Sequence, residues 1–226
     1  PVTGYDTTSN YPSLTDIETW GVNLNAEADL GFAALHSISA LRNSRNSTYF
    51  DIDGGPLPLV QFDYLSRTRS FQQELRLAST STEPLSWQMG VFYLHTKASN
   101  FQQQRGAAFA ARGRLGQDID GSITTDSYAA FGEVTYALTP TTHLTGGLRY
   151  TRDERDFEGI EQPYTVAGAP LAAISYPRPG IDKFVPRLAK GNLTYRVAVR
   201  QDLSDDVNVY ASLNRGFKSG SYNLQS

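Results

Sequence analysis

The chain alternates apolar and polar residues along most of its length. From Val22 to Leu30 it reads VNLNAEADL, which places five apolar residues on one face of an extended chain and four polar residues on the other. The same period of two recurs in FQQELRLA (71–78), YAAFGEVTYAL (128–138), HLTGGLRYT (143–151) and NLTYRVAVR (192–200). Because side chains of a β-strand point alternately to opposite faces, these segments predict strands with one apolar and one polar face. No segment shows a helical period over more than about two turns.

The connections between the strands are sorted by length. We predict eight strands, near residues 18–30, 33–46, 68–79, 85–98, 126–138, 142–157, 190–202 and 207–218. Every second connection is short and turn-rich (DLGF, STSTEP, TPTT or LSDD), which favours antiparallel hairpins. The other three run for about twenty to thirty residues, which is unusual in a compact domain. This order puts the short turns at one end of a meander and the long loops at the other, as in outer-membrane barrels but not in Greek-key sandwiches.

Composition excludes several other classes. The 20 basic and 23 acidic residues are nearly balanced, which argues against a nucleic-acid-binding protein. With no cysteine, the chain has neither a disulfide framework nor a thiolate metal site. No apolar stretch approaches the roughly 18 residues of a membrane-spanning helix, whereas a membrane-spanning strand needs only about ten alternating residues. The chain begins at Pro1 without a charged and apolar leader, so we expect it to be a piece of a longer protein.

Four phrases in this order and spacing carry a family resemblance. They are FQQELRLAS, WQMGVFYL, YAAFGEVTYALTPTTHLTGGLRYTRDERDF and VYASLNRGFKSGSYN. From about Trp20 to its end, the chain resembles the β-barrel segment of TonB-dependent outer-membrane receptors. The resemblance implies an all-β, antiparallel transmembrane meander of about eight strands from a barrel of about 22 strands. It also implies a plug domain, and uptake of a scarce ligand, commonly a ferric siderophore, with energy passed through the TonB complex.

The chain departs from the whole receptor pattern in three ways. It shows no plug domain, no TonB box and no terminal aromatic strand of the kind that such barrels use for assembly. We therefore expect residues 1–226 to be a partial, internal piece of the barrel domain. An open eight-stranded sheet would have two unpaired edges, and an alternative is that the piece closes into a small barrel.

Charged residues recur on the polar faces of the strands. On a face that meets lipid they would be costly, so we expect them to face the lumen. There they would pair across strands or hold the plug, with direct ligand contact as the alternative. The set is Glu27, Glu74, Arg76, Glu133, Arg149, Arg196 and Arg200.

The second long loop, residues 100–121, is the candidate ligand-binding segment. Arginines and aromatic rings suit an anionic, aromatic chelate such as a ferric siderophore. The candidate residues are Arg105, Arg112 and Arg114 with Phe101 and Phe109. The alternative is a solvated loop without ligand contact.

Three further motifs have structural explanations. NRGFKSGSYN (214–223) lacks the spacing of a phosphate-binding loop, so we interpret it as the outer end of the last strand, with Arg215 and Lys218 near headgroups or lipopolysaccharide phosphates. DIDGG (51–55) and DIDGS (118–122) begin like calcium loops but lack the later ligands, and Asp-Gly turn chemistry explains them.

Histidines and tyrosines also fit a barrel wall. His36, His95 and His143 lie on different strands without metal-site spacing. Tyrosines near strand ends suit the aromatic girdles of a membrane barrel, although cross-strand aromatic pairing in any sheet is an alternative. These tyrosines are Tyr128, Tyr136, Tyr150 and Tyr210.

The functional prediction is a transport receptor and not an enzyme. We expect no catalytic, metal-binding or cofactor-binding residues and no cofactor. The expected location is the bacterial outer membrane. Expected partners are membrane lipid and lipopolysaccharide, the plug of the same protein, the TonB complex and a small ligand such as a ferric siderophore, without nucleic acid. The alternatives are a passive porin-like channel or adhesin barrel, against which an upstream plug with a TonB box would favour active uptake, and a secreted β-rich hydrolase or glycan-binding module.

Overall fold

The computed structural model describes residues 8–81, 84–165, 174–176 and 187–220. A 3-10 helix at Ala107–Arg112 lies between the fourth and fifth strands. The strands within these residues are β1 (Leu14–Asp29), β2 (Ala33–Asp51), β3 (Gln61–Ser79), β4 (Leu85–Arg105), β5 (Arg114–Thr139), β6 (Thr142–Thr165), β7 (Ile174–Tyr176), β8 (Arg187–Ser204) and β9 (Val207–Arg215).

All the described strands belong to one antiparallel sheet. Its order is β1-β2-β3-β4-β5-β6-β8-β9, and the short β7 pairs with Gly159–Glu161 of β6. The predicted eight-stranded meander is therefore confirmed. Over the part of the chain that the structure describes, β1 and β9 are not paired with each other, so the sheet is open and the alternative of a small closed barrel is wrong.

The sorting of the connections is confirmed, but their predicted extents are wrong. Short turns link β1 to β2, β3 to β4, β5 to β6 and β8 to β9, all at one end of the sheet. At the opposite end the strands continue well past their predicted limits: β3 begins at Gln61 and β5 at Arg114, leaving loops of only 52–60 and 106–113. Along these extensions the apolar residues are sparse and change sides: Phe62, Ile119 and Ile123 lie on the polar-face side, whereas the apolar residues nearer the short turns lie on the other face. The alternation of the membrane-facing part therefore does not continue into them.

The register separates an apolar face from a polar face. Leu77 of β3 pairs with Met89 of β4, and Gly132 of β5 pairs with Leu148 of β6, so their side chains lie on one face. That face is uncovered within the described residues: Leu148, for example, is 59% exposed. The only buried apolar residues described are the small Ala33, Ala40 and Ala129 together with Ile119. The sheet therefore has no conventional core, and its apolar face needs a cover from outside.

Burial differs between the two faces in a single layer. On β4, the polar-face side chains of Asn100, Gln102 and Gln104 are buried, whereas Met89 and Val91 on the apolar face are exposed. In a sheet without a second layer, curvature accounts for this difference, because side chains crowd on a concave face and spread on a convex one. The polar face is thus the inner side of a curved wall.

Three of the four predicted girdle tyrosines lie on the apolar face. Tyr128, Tyr136 and Tyr150 alternate in step with Val134 and Leu148. Tyr210 does not: it pairs with Arg200 and lies on the polar face, so its assignment to a girdle is wrong. In β9 the apolar face carries Val209, Ala211 and Leu213, so Tyr210 between them lies on the opposite face.

Among the described residues, no helix is long and apolar enough to cross a membrane.

Candidate functional site

The seven charged residues predicted for the inner side all lie on the polar face. The register aligns Glu27 with His36 and then Arg76, and it aligns Glu133 with Gly147 and then Arg196. Glu74 lies opposite Ile38 and Phe92, Arg149 opposite Phe131, and Arg200 opposite His143. The period-two pattern therefore places the whole set on one surface.

Most of these charges have partners within the sheet. A carboxylate oxygen of Glu133 lies 3.9 Å from Nη1 of Arg196, and Glu27 lies 3.5 Å from Nδ1 of His36. Nε of Arg200 is 3.2 Å from Asp202 of its own strand. These pairs are partly exposed, so each contributes little to stability.

Arg149 lies between two aromatic rings. Its Cζ atom is 5.4 Å from the ring centroid of Phe92 and 5.4 Å from that of Phe131. Gly90 makes room for this cluster, because a Cβ atom there would lie 2.6 Å from the Phe131 ring. Sequence reasoning identified Arg149 but missed its partners, although Phe92 and Phe131 stand at polar-face positions and break the alternation.

Besides Arg149, two residues of the set have no ion pair in the described structure. Nε of Arg76 is buried without a hydrogen-bond partner, and Glu74 forms no salt bridge there. Buried polar atoms are ordinarily satisfied, so an unpartnered guanidinium nitrogen on the concave face favours a contact from outside the sheet.

The predicted ligand-binding residues are divided among three elements. Phe101 and Arg105 lie on β4, Phe109 lies in the 3-10 helix, and Arg114 begins β5. The Arg112 side chain lies outside the described part of the structure. The expectation of a loop over residues 100–121 is wrong, because most of the segment is paired strand.

The two described arginines of this group already face carboxylates. Arg105 lies 4.0 Å from Asp118, and Nη1 of Arg114 lies 3.4 Å from Glu161. An anionic ligand that used either arginine would have to compete with these partners.

Asp118 is the hub of a polar network at this end. It accepts hydrogen bonds from the Gln103 amide at 3.1 Å and from the Tyr164 hydroxyl at 2.9 Å, and Arg105 lies beside it. The bond to Asp118 raises the pKa of Tyr164, because it stabilises the neutral phenol. The first Asp of DIDGS thus has a structural role.

DIDGG, unlike DIDGS, closes a loop. Oδ2 of Asp53 accepts a hydrogen bond from the Val60 amide, and Oδ1 accepts one from the Gly55 amide, both at 3.0 Å. These bonds, that from Val60 foremost, lower the pKa of Asp53. The turn interpretation is confirmed for DIDGG and wrong for DIDGS, whose residues 118–122 are paired within β5. Within the described ranges, no group of three or more His, Cys, Asp or Glu residues could hold a metal ion.

Each histidine lies beside one carboxylate. His36 is near Glu27, His95 lies 2.9 Å from Asp126, and His143 lies 3.3 Å from Asp202. These are isolated pairs on different strands.

The loops at the long-strand end are joined to one another. The amides of Ala107 and Ala108 donate to the carbonyls of Pro58 and Leu59, at 2.9 and 3.1 Å. Gly106 permits this contact, with φ at 140° and a Cβ position that would lie 2.2 Å from the Leu59 carbonyl. The loops therefore form one surface.

Residues 8–11 lie across the same loops. Ser9 donates to Asp51 at 2.8 Å, Gln61 donates to Asn10 at 2.7 Å, and the Tyr11 hydroxyl donates to Asp63. Burial first, and then this hydrogen bond, raises the pKa of Tyr11 to about 12.

The segment NRGFKSGSYN leaves the sheet early. Strand β9 ends at Arg215, not at 218, and residues 216–220 follow as an irregular segment. Residues 221–226 lie outside the described part. The segment shows no helix of the kind that a phosphate loop needs in its described residues.

A family model described as TonB dependent receptor-like, beta-barrel, matches residues 1–226. Among solved structures, the ferric yersiniabactin uptake receptor FyuA from Yersinia pestis superposes with a TM-score of 0.70 at 17% identity, over 90% of this chain and 29% of that one. The ferric-catecholate import receptor Fiu from E. coli K12, in its open form, superposes with a TM-score of 0.57 at 13% identity, over 89% of this chain and 36% of that one. The ferric citrate transporter FecA superposes with a TM-score of 0.54 at 12% identity, over 90% of this chain and 28% of that one.

These likenesses establish the fold, and the chain spans about a third of the length of each of these structures. No curated protein matches the chain in sequence.

Proposed function

The chain belongs to the TonB-dependent receptor family through its β-barrel domain, and on that premise we propose that it forms part of the wall of an outer-membrane active-transport receptor. The ligand in this proposal is a ferric siderophore, and uptake is energised through TonB. Residues 1–226 supply barrel wall and extracellular loops of a larger barrel, whose plug and remaining strands belong to the same full-length protein. The proposal assigns no catalysis to this piece.

The uncovered apolar face carries the proposal. On that face β5 presents no charge between Tyr128 and Tyr136, and β6 presents only Leu144, Gly146, Leu148 and Tyr150. A soluble sheet of this size would place such a face under a second layer. Contact with lipid explains both the apolar face and the absence of a covering layer from the described structure.

The polar face supports a plugged lumen. The side chains of Glu74 and Arg76 point to the concave side without an ion pair in the described structure, and the Arg76 Nε is unpartnered. A plug that fills the barrel would bring polar groups to this surface. Arg149 between its two phenylalanines is preorganised for such a contact, because the rings fix its position.

The joined loops support ligand capture at the opposite end from the short turns. Loop-to-loop hydrogen bonds give this end a defined surface, with Phe109 half-buried within it. The ferric chelates printed in the names of FyuA, Fiu and FecA motivate the choice of an iron chelate. Since Arg105 and Arg114 are paired with carboxylates and Phe101 lies on the convex face opposite Leu65, Phe109 is the better candidate for ligand contact among the described residues of the predicted set.

Uptake of radioactive iron by intact cells tests the proposal. Cells that carry the full-length gene product should accumulate iron supplied as ferric siderophores, and deletion of the gene or of TonB should abolish the accumulation. Uptake that persists without TonB would favour a passive porin-like channel. Recovery of the full-length protein in the soluble fraction would overturn the membrane assignment.

A further inference from the structure

Four cations form a compact group on the outer, convex side of the sheet, just beyond the apolar face. Arg45 of β2 pairs in register with Arg67 of β3, and Arg69 of β3 pairs with Lys97 of β4. All four side chains are exposed. We call these four residues the basic quartet.

The quartet places like charges directly opposite one another twice. Residues paired in this way hold their Cβ atoms about 5 Å apart, and like charges at that spacing destabilise a sheet. The carboxylates in reach relieve it only in part. Glu18 lies opposite Arg45 in register and offsets that one charge without an ion pair within 4.0 Å, whereas Asp126 is engaged by Tyr93 and His95. Within the described residues, no member of the quartet forms an ion pair.

The same face shows a self-neutralised arrangement a few strands away. Glu154 of β6 lies 2.8 Å from Arg152 and 2.9 Å from Arg187 of β8, and Arg187 also reaches Asp156. These hydrogen bonds lower the pKa of Glu154. The sheet can therefore balance its own charges at this height, and the quartet stands out as an unbalanced excess of positive charge.

An apolar groove lies beside the quartet. It has a volume of about 570 Å³ and is lined by Trp20, Leu41, Phe71 and His95, with Arg69 and Lys97 among its lining residues. The groove thus has an apolar and aromatic side towards the membrane-facing surface and a cationic side away from it. This order suits a molecule with an acyl chain joined to a phosphorylated head.

We propose that the basic quartet and this groove bind lipopolysaccharide of the outer leaflet, with its phosphate groups on the cations and an acyl chain along the groove. The proposal rests on the outer-membrane placement proposed above. Guanidinium groups bind phosphate bidentately, and anionic headgroups would remove the repulsion within the quartet. Clusters of Lys and Arg beside a membrane-spanning segment are recognised by anionic lipid in the same way.

Binding of diphosphorylated lipid A to the purified full-length receptor tests the proposal. The test variant replaces all four cations by Gln (R45Q, R67Q, R69Q and K97Q). The control is R152Q with R187Q, which removes two cations of the ion-paired group on the same face. Native mass spectrometry or a thermal shift titration measures the affinity, and circular dichroism verifies the fold.

We expect the quartet variant to bind lipid A about tenfold more weakly or worse, and the control to bind it as the parent does. Lipid A without phosphates should also bind about tenfold more weakly to the parent. Equal binding by the quartet variant and the parent overturns the proposal, as does equal binding of the dephosphorylated lipid. Full competition by inorganic phosphate at the same concentration would show an anion site without lipid specificity and also overturns it.

A single R69Q variant keeps the test decisive if the fourfold variant does not fold, with a smaller loss of affinity expected. In lipid-free detergent, R69Q should unfold at a higher temperature than the parent, because one repulsive pair is removed. Lipid binding is measured without transport, so a failure of siderophore uptake and a failure of this site are separate results.

Discussion

Two faces of the same strands meet different surroundings, and adjacent residues show the contrast. Val134 of β5 is 44% exposed on the apolar face, beside Trp87 and Gly146 in the register. The next residue, Thr135, lies on the polar face and its hydroxyl is 2.9 Å from that of Thr145. The polar face is tied together by hydrogen bonds and ion pairs, whereas the apolar face has no cover within the described residues. The period of two therefore reflects a wall with different surroundings on its two faces, and not a buried core beneath a solvated surface.

An arginine on either face tests this contrast with the largest expected effect. Leu148→Arg puts a charge on the apolar face and should cost about 2–4 kcal/mol of unfolding free energy near the bilayer centre. Thr145→Arg on the polar face of the same strand should cost about 1 kcal/mol or less, mainly for the lost bond to Thr135. Denaturant unfolding of the full-length protein in vesicles measures both, and equal costs would contradict the assignment of faces.

The polar network at the long-loop end should unfold locally when its central residue, Asp118, is replaced. Asp118→Ala removes the acceptor for Gln103 and Tyr164, so we expect a local cost of about 1–3 kcal/mol. Faster amide hydrogen exchange over residues 101–120, with exchange at 85–93 unchanged, is the expected result. Asp120→Ala is the matched control, because this exposed carboxylate belongs to the same DIDGS motif outside the network. If both variants exchange alike, Asp118 has no special role.

The arginine held between two rings should contribute a smaller amount. Arg149→Met keeps the length of the side chain and removes the charge over Phe92 and Phe131, which should cost about 0.5–2 kcal/mol. A double-mutant cycle with Phe131→Leu isolates the interaction. A coupling energy indistinguishable from zero would show that the rings only fill space.

Tyr11, which lies across the loops, gives the smallest and most local of the predicted effects, a change in its own titration. Its pKa of about 12 lies above the ordinary value of 10.0, so the fold favours the neutral phenol that donates to Asp63. The contact is fully present below pH 10 and is lost as the pH rises through about 12. The ultraviolet difference titration between the parent and Tyr11→Phe should show one phenolate appearing near pH 12. A midpoint near pH 10 would mean that the contact does not form.

Sequence reasoning worked where the convex face is apolar and failed where that face becomes polar. The short-turn ends of the strands agree with the prediction within a few residues, because alternation continues up to the turns. The extensions from Gln61 and Arg114 resemble loops in sequence, since their apolar residues are few and lie on the opposite face from those of the membrane-facing part. Tyr210 was misplaced because an aromatic residue near a strand end looks the same on either face.

The candidate site shows a similar division. Alternation placed all seven charges, from Glu27 to Arg200, on one and the same face. It could not show that Arg105 and Arg114 are paired with Asp118 and Glu161, because those contacts join residues that are distant in sequence or on another strand. The like-charged register of the basic quartet was hidden for the same reason. Cross-strand pairing is fixed by register, and register depends on turns whose exact lengths the sequence leaves open.

Depth-dependent quenching at two neighbouring positions tests the central assignment most directly. Residues 1–226 contain no cysteine, so Val134→Cys and Thr135→Cys each give one labelling site once any cysteine elsewhere in the full-length protein is replaced by Ser. With the full-length protein in vesicles of lipids brominated on their acyl chains, a fluorophore at position 134 should be strongly quenched and one at 135 only weakly. Equal quenching, or stronger quenching at 135, would contradict the account in which the apolar face of this sheet lies against lipid.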